Sequence, residues 1–183
     1  MKLFLTYAVG SAALCFAGCD KHDATAAAPG VSVQPSNAPV IPTQYHLNRA
    51  QPKLRTIKLW IGTQEIDTEA AVSLTEISTG MMFRTNMAEN TGMLFLFAGP
   101  DQRNFYMKNC VVALSAAYID TEGVIDQIVD LHPGVEKPVP SRSNRIKYVL
   151  EVPQGWFGRQ NITTGMVINT SQGMLKNLRG ILP

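Results

Sequence analysis

The segment Gly92-Met93-Leu94-Phe95-Leu96-Phe97 carries no polar side chain and is closed by Gly99-Pro100. A strand with one face in water alternates apolar and polar residues, because successive side chains point to opposite faces. This run does not alternate. It fits a strand buried on both faces, which requires packed structure on each side of it.

The surrounding segments are short and mostly β-like. Residues 54–61 alternate, with Ile57, Leu59 and Ile61 on one face, and 63–72 reads as a hairpin partner. Ser73 and Glu76 match a capping box. Leu74, Ile77 and Met81 follow at i, i+3 and i+7, which predicts a short helix with its apolar stripe inward. Gly80 costs such a helix about 1 kcal/mol relative to alanine, so the helix is expected to end there. From Asn104 to Asn109 the pattern predicts a strand, with Phe105 and Met107 on one face and Tyr106 and Lys108 on the other. Segments 114–120 and 124–131 flank Thr121-Glu122-Gly123 and read as a hairpin. Residues 132–144, with three prolines, form a loop, and 146–152 is a strand. Pro153-Gln154-Gly155-Trp156-Phe157-Gly158 opens a turn or short helix, 166–169 closes the sheet, and 171–183 is an appendix. Many short strands at close spacing indicate a mainly β fold, a compact small barrel or sandwich with one or two short helices, rather than alternating βαβ units.

Ahead of this domain, Lys2 precedes sixteen residues without a charge (3–18). That is shorter than the roughly 20 residues needed to span a bilayer, and it has the layout of a secretory signal. Leu14-Cys15-Phe16-Ala17-Gly18-Cys19 resembles the lipobox of bacterial lipoproteins, with Phe16 where leucine is usual. The resemblance implies a signal peptide over 1–18, cleavage before Cys19 and acylation of Cys19, whose several chains would anchor the protein stably. Asp20 resembles the retention signal of enteric bacteria, which favours the inner over the outer membrane and places the domain on the periplasmic side. The alternative is an ordinary signal cut after Ala24-Thr25-Ala26, although Lys21 and Asp23 then lie between the apolar run and the cut. Residues 19–52 are rich in Ala, Pro, Ser and Val and read as a flexible tether, long enough to hold the domain, residues 53–170, off a membrane surface. Cys15 leaves with the signal and Cys19 is acylated, so Cys110 is the one thiol expected in the body. No disulfide between body cysteines can form, and the fold must rest on its core.

Three segments in order carry a family resemblance: Thr79-Gly80-Met81-Met82-Phe83-Arg84, Gly92-Met93-Leu94-Phe95-Leu96-Phe97 and Asn104-Phe105-Tyr106-Met107-Lys108-Asn109. They resemble the consecutive signatures of the bacterial and archaeal family named domain of unknown function 192. Leu150-Glu151 and Gln154-Gly155-Trp156-Phe157 fit a proteobacterial branch, and the likeness spans 54–170. Tyr106 replaces a usual tryptophan, Cys110 a threonine and Ala113 a proline. Ser115 stands where many members have aspartate, and a hydroxyl cannot supply a carboxyl's acid chemistry. The resemblance implies a compact β-rich barrel or sandwich with one or two short helices, and no established activity.

Composition and motifs narrow the chemistry. The 183 residues are 45% apolar and 16% charged, with a formal charge of +2, which gives no basic field of the kind nucleic acids select. There is no phosphate-cradling glycine loop, dinucleotide fingerprint or nucleophile elbow. His22, His46 and His132 have no partner at metal-ligand spacing, so neither metal nor cofactor is expected. Cys110 with His132 is a thiolate–imidazole candidate, against which stands a small packed side chain in a threonine position. Asp120, Glu122, Asp126 and Asp130 are either paired acids for glycoside hydrolysis or a solvated turn and strand face. Trp156 and Phe157 read as a core plug rather than a stacking platform.

Arg84, Tyr106, Lys108 and Asn109 are the candidate binding residues: two cations, an aromatic and an amide that could converge on an anionic or sugar-like ligand. Arg84, Tyr106 and Lys108 are expected to line one cleft. The competing reading pairs Arg84 with a carboxylate such as Glu151 and places Tyr106 in the core. The functional expectation is a membrane-anchored, non-catalytic envelope module that binds such a ligand or an envelope protein. The alternative is an enzyme acting on envelope glycan or peptide, for which the cleft would have to hold two carboxylates.

Overall fold

The computed structural model describes residues 45–180; the expected signal segment, the anchor Cys19, the tether up to residue 44 and residues 181–183 lie outside the described residues. In chain order the elements are β1 (Thr56–Ile61), β2 (Gln64–Ala71), α1 (Leu74–Thr79), β3 (Thr91–Asp101), β4 (Asn104–Phe105) and β5 (Leu114–Asp120). They continue with β6 (Ile125–Leu131), β7 (Val139–Pro140), β8 (Ile146–Pro153), α2 (Trp156–Arg159), β9 (Ile168–Thr170), β10 (Gly173–Met174) and a 3-10 turn at Leu175–Asn177.

Eight strands make one sheet in the order β10-β9-β1-β2-β3-β8-β5-β6, while β4 and β7 pair separately. β2 and β3 run parallel, joined through α1 and the loop after it, and the other neighbours are antiparallel. The sheet is open but curled. Ile125 N donates to Met166 O at 2.9 Å, Gly165 N to Ile125 O at 2.8 Å and Ile168 N to Gly123 O at 2.9 Å, with Val124 bridging Val167. These bonds tie the start of β6 to the segment before β9 and give the sheet a barrel-like form.

Two apolar clusters lie on opposite faces. Leu59, Ile66, Leu94, Ile119, Leu150 and Ile168 belong to the cluster inside the curl, which α2 plugs with Trp156 and Phe157. Met93, Phe95, Ala116, Tyr118 and Val149 face outward, under Met81 and Met107. Leu94 and Leu96 thus face one core while Met93 and Phe95 face the other, which is the double burial that the apolar run requires. A central strand sandwiched this way contributes apolar area twice, at roughly 25 cal/mol per Å².

The Ser73–Glu76 capping box forms, and Gly80 ends α1 with φ 47°. A Cβ on Gly80 would lie 3.2 Å from the Phe95 ring, so this turn needs glycine for its backbone angle and for its approach to the sheet. Four expectations are corrected. Leu74 is exposed rather than inward, because α1 is only six residues long and its packing face begins at Ile77. The strand expected over 104–109 stops after Phe105: its partner β7 is two residues with a proline, and Met107 and Cys110 close a turn instead. The chain expected to be free up to residue 52 is already held at residues 47 and 51. Leu47 N donates to Thr79 Oγ1 at 3.0 Å, and buried Gln51 donates through Nε2 to Gly80 O at 2.9 Å. Of the segment expected as an appendix over 171–183, residues 173–175 are integrated, since β10 extends the sheet and Leu175 is fully buried.

Candidate functional site

The outward face of β3 and β8 is not completely covered. Between α1 with its Gly80 turn and the 102–110 segment a cleft of about 570 Å³ opens onto that face. Its lining is mixed: Ile77, Met81, Phe95, Phe97 and Phe105 are apolar, while Ser78, Thr79, Gln102 and Asn104 are polar, and Tyr45, His46 and Tyr106 also line it. Phe105 stands edge-on between Phe95, 5.0 Å away between ring centres, and Tyr118, 6.0 Å away. The Tyr118 hydroxyl donates to Val139 O at 2.5 Å, which pins β7, and through it β4, over the sheet. Arg103 stacks 3.9 Å over Phe97 and donates to Ile146 O at 3.3 Å and to Gly99 O, so its guanidinium braces the wall of the cleft.

Glu151 lies at the floor. It sits on β8 opposite Met93 of β3 and Ala116 of β5, is 5% exposed, and lines the cleft. Its carboxyl has no hydrogen bond or ion pair among the described residues. Burial without a compensating charge pushes it up to about 8, so the carboxyl is mostly protonated at neutral pH. Cys110 lines the same cleft. Burial first, and Glu151 second, push its thiol up to about 12. A thiol in that state is not a nucleophile at neutral pH. Gly92 next to this site has no room for a side chain, since a Cβ would lie 2.9 Å from Glu151 O and 3.0 Å from Thr68 Cγ2.

The four candidate binding residues separate into three places. Tyr106, 40% exposed, and half-buried Lys108 both line the cleft. Lys108 has no hydrogen bond or ion pair among the described residues. Asn109 does not line the cleft: it takes φ 55° in the turn, and its carbonyl accepts from Phe83 N at 2.8 Å. Arg84 lines a separate depression of about 200 Å³ with Glu69, Lys53 and Met87. It donates to Glu69 through Nη1 at 2.5 Å and Nη2 at 2.8 Å, while Leu54 N donates to the same carboxylate at 2.7 Å. Burial pulls Glu69 upward, but these bonds outweigh it and hold the carboxyl below its usual range. The cleft expected to join Arg84, Tyr106 and Lys108 therefore does not form, and the carboxylate that Arg84 holds is Glu69, not Glu151.

The other candidates resolve as structure. Asp120 Oδ1 accepts Glu122 N and Val124 N in the hairpin turn, and Glu122 pairs with Lys176 on the surface. Buried Ser115 donates to Asp130 at 2.5 Å and accepts Gly155 N at 2.8 Å, which clamps the start of α2 to β5. His132 is exposed, sits 3.0 Å from Gln154 Nε2 and does not line the cleft with Cys110. Trp156 is fully buried and donates to Asn90 Oδ1 at 2.9 Å, a plug rather than a platform. Among the described residues no three His, Cys, Asp or Glu side chains are placed to hold a metal ion. Glu151 is the only carboxyl among the described residues that line the cleft. Sequence reasoning assigned Glu151 no site role, yet one signal was available: a lone acid within Tyr148-Val149-Leu150-Glu151-Val152.

The family described as DUF192, Uncharacterized ACR, matches residues 57–170. A crystal structure of a Sinorhizobium meliloti 1021 protein, described as a candidate transcription regulator, superimposes with a TM-score of 0.63 at 25% identity, covering 67% of this chain and 98% of that one. A protein of unknown function from Novosphingobium aromaticivorans DSM 12444 gives a TM-score of 0.60 at 26% identity, covering 63% of this chain and 86% of that one. No curated protein matches the chain.

Proposed function

The chain belongs to the DUF192 family of uncharacterised proteins, and we propose that it is a lipid-anchored envelope module that captures a small anionic or sugar-like ligand in its cleft without transforming it. One observation carries the reading: a cleft of about 570 Å³ with a partly aromatic lining holds an unpaired ammonium, Lys108, and an unpartnered buried carboxyl, Glu151. Ligand sites are typically apolar concavities of roughly 300–1,000 Å³ with a few polar groups that orient the ligand. Tyr106 and Lys108 contact the ligand in this proposal, whereas Arg84 and Asn109 shape the backbone around it. A single carboxyl in the cleft does not supply the pair that glycoside hydrolysis uses, and the high thiol pKa of Cys110 removes the nucleophile a peptidase of the cysteine type needs. Support for the envelope location comes from the charge-free run over 3–18 and Cys19 after it, and for a ligand other than nucleic acid from the formal charge of +2.

The test is a thermal-shift panel of small anions, neutral sugars and acidic sugars on the purified protein and on Lys108→Met. At least one compound should stabilise the parent and lose its effect on a variant that remains folded. If no compound shifts the parent, or if every shift survives in Lys108→Met, the binding proposal fails.

A further inference from the structure

We propose that the ligand of the cleft is a small organic carboxylate with an apolar portion, its carboxylate hydrogen-bonded by the buried Glu151 carboxyl, while Lys108, in the lining of the same cleft, adds positive charge. This rests on the binding function proposed above and goes further by naming the ligand class and the group that reads it.

The first observation is an unmet hydrogen-bonding need. Glu151 is 5% exposed and flanked in the sheet by Met93 and Ala116, neither of which can bond its carboxyl. Glu151 has no protein partner among the described residues, and its carboxyl oxygens are not among the fully buried unpartnered atoms, so they are reachable from the cleft and open to a partner that enters it. The second observation is charge. Facing Glu151 from the neighbouring elements are Cys110 and Tyr118, whose ionisation burial and Glu151 itself both oppose. Around the rest of the cleft stand Tyr45, His46, Tyr106, Lys108 and Arg103, and no second acid among the described residues. A cationic ligand would meet Lys108 and Arg103. An anion meets no fixed negative charge while Glu151 keeps its proton.

A protonated carboxyl has one O–H to donate, and a carboxylate is a strong acceptor for it. Lys108 and Arg103, in the lining of the same cleft, add positive charge to it. Phe95, Phe105, Ile77 and Met81 offer apolar contact to one part of the ligand, while Ser78, Gln102 and Asn104 line the rest of the cleft with polar groups.

The sign of the pH dependence follows. Below about 8 Glu151 is protonated and can donate. Above it, the lost proton puts a second carboxylate against the ligand, so affinity should fall by up to about tenfold per pH unit. The bound carboxylate also raises the pKa of Glu151, so binding near pH 8 takes up protons.

The experiment titrates the full chain, purified in detergent, with butyrate, octanoate and phenylacetate by calorimetry from pH 6 to 9.5. The matching alcohols and a neutral sugar serve as controls. At least one carboxylate should bind at pH 7 at least tenfold more tightly than its alcohol, weaken steeply above pH 8, and show proton uptake when two buffers of different ionisation enthalpy are compared. Glu151→Gln, which keeps a donor without a titrating proton, should bind with a flat pH profile. Should that variant fail to fold, the parent's pH profile and proton uptake decide the matter. Carboxylate binding that is flat with pH in the parent, or equally steep in a folded Glu151→Gln, overturns the role of Glu151. Binding of the sugar but of no carboxylate overturns the ligand class and leaves the binding module standing. No binding by any probe overturns both.

Discussion

Arg84 and Glu69 form a two-pronged pair in which Nη1 and Nη2 reach Oε1 and Oε2 at 2.5 and 2.8 Å, with both side chains more than four-fifths buried. The pair links the loop after α1 to β2, and Glu69 also takes the N–H of Leu54. Removing one partner leaves the other charge buried and unpaired, which costs about 3 kcal/mol or more. Arg84→Met should therefore lower the unfolding free energy, read from urea denaturation, by that order. The double variant Arg84→Met/Glu69→Leu should recover part of the loss. If Arg84→Met is neutral, the pair contributes nothing to stability.

Glu151 makes stability fall as pH rises. Its folded pKa of about 8 exceeds the ordinary 4.5, so between these values the folded state holds a proton that the unfolded state has released. The loss approaches about 1.4 kcal/mol per pH unit across that window and stops above it. Denaturant midpoints at pH 5.5 and 8 should differ in this direction for the parent and much less for Glu151→Gln. Equal slopes for both would show that another group carries the dependence.

Cys110 should behave as a packing residue. Its half-buried, high-pKa thiol is expected to react with a maleimide at neutral pH far more slowly than a free cysteine. Cys110→Thr changes volume little and should alter stability by less than about 1.5 kcal/mol, the hydroxyl adding some risk. Rapid modification of the folded protein would contradict this.

Gly92→Ala tests how closely β2, β3 and β8 approach at the start of the apolar run. The new methyl would press on Glu151 O at 2.9 Å, a backbone atom that cannot rotate away. A destabilisation of about 1–3 kcal/mol in chemical denaturation is expected, as for other overpacked sites.

Cys19→Ala tests the proposed anchor. Cell fractionation should find the parent with the membranes and the variant in the soluble fraction. If both stay with the membranes, or both are soluble, the lipid-anchor proposal is wrong.

Much of the architecture was legible because it is written in short-range patterns. The unbroken run at Gly92–Phe97 demands two buried faces, Ser73 and Glu76 cap each other across three residues, and the 114–131 segment turns at Thr121–Gly123. Each of these is set by side-chain alternation or by a local hydrogen bond, so residues close in sequence suffice. The strand expected over 104–109 stops after Phe105 for the converse reason. The alternation of buried Met107 and exposed Tyr106 survives, but a ladder needs a partner, and β7 offers only two residues.

The site depended on contacts between distant segments. No local pattern says that Arg84 will meet Glu69 from β2 rather than Glu151 from β8, because the choice follows from which strand the 80–90 loop crosses. Likewise the sequence by itself determined that a lone acid would sit in the apolar strand at 151. Only the tertiary structure decided that this acid lies under a cleft, shares it with Lys108 and lacks a partner. Periodicity tells a residue which face of its own strand it occupies. What covers that face, and whether the cover leaves a gap, is settled by chain that arrives from elsewhere.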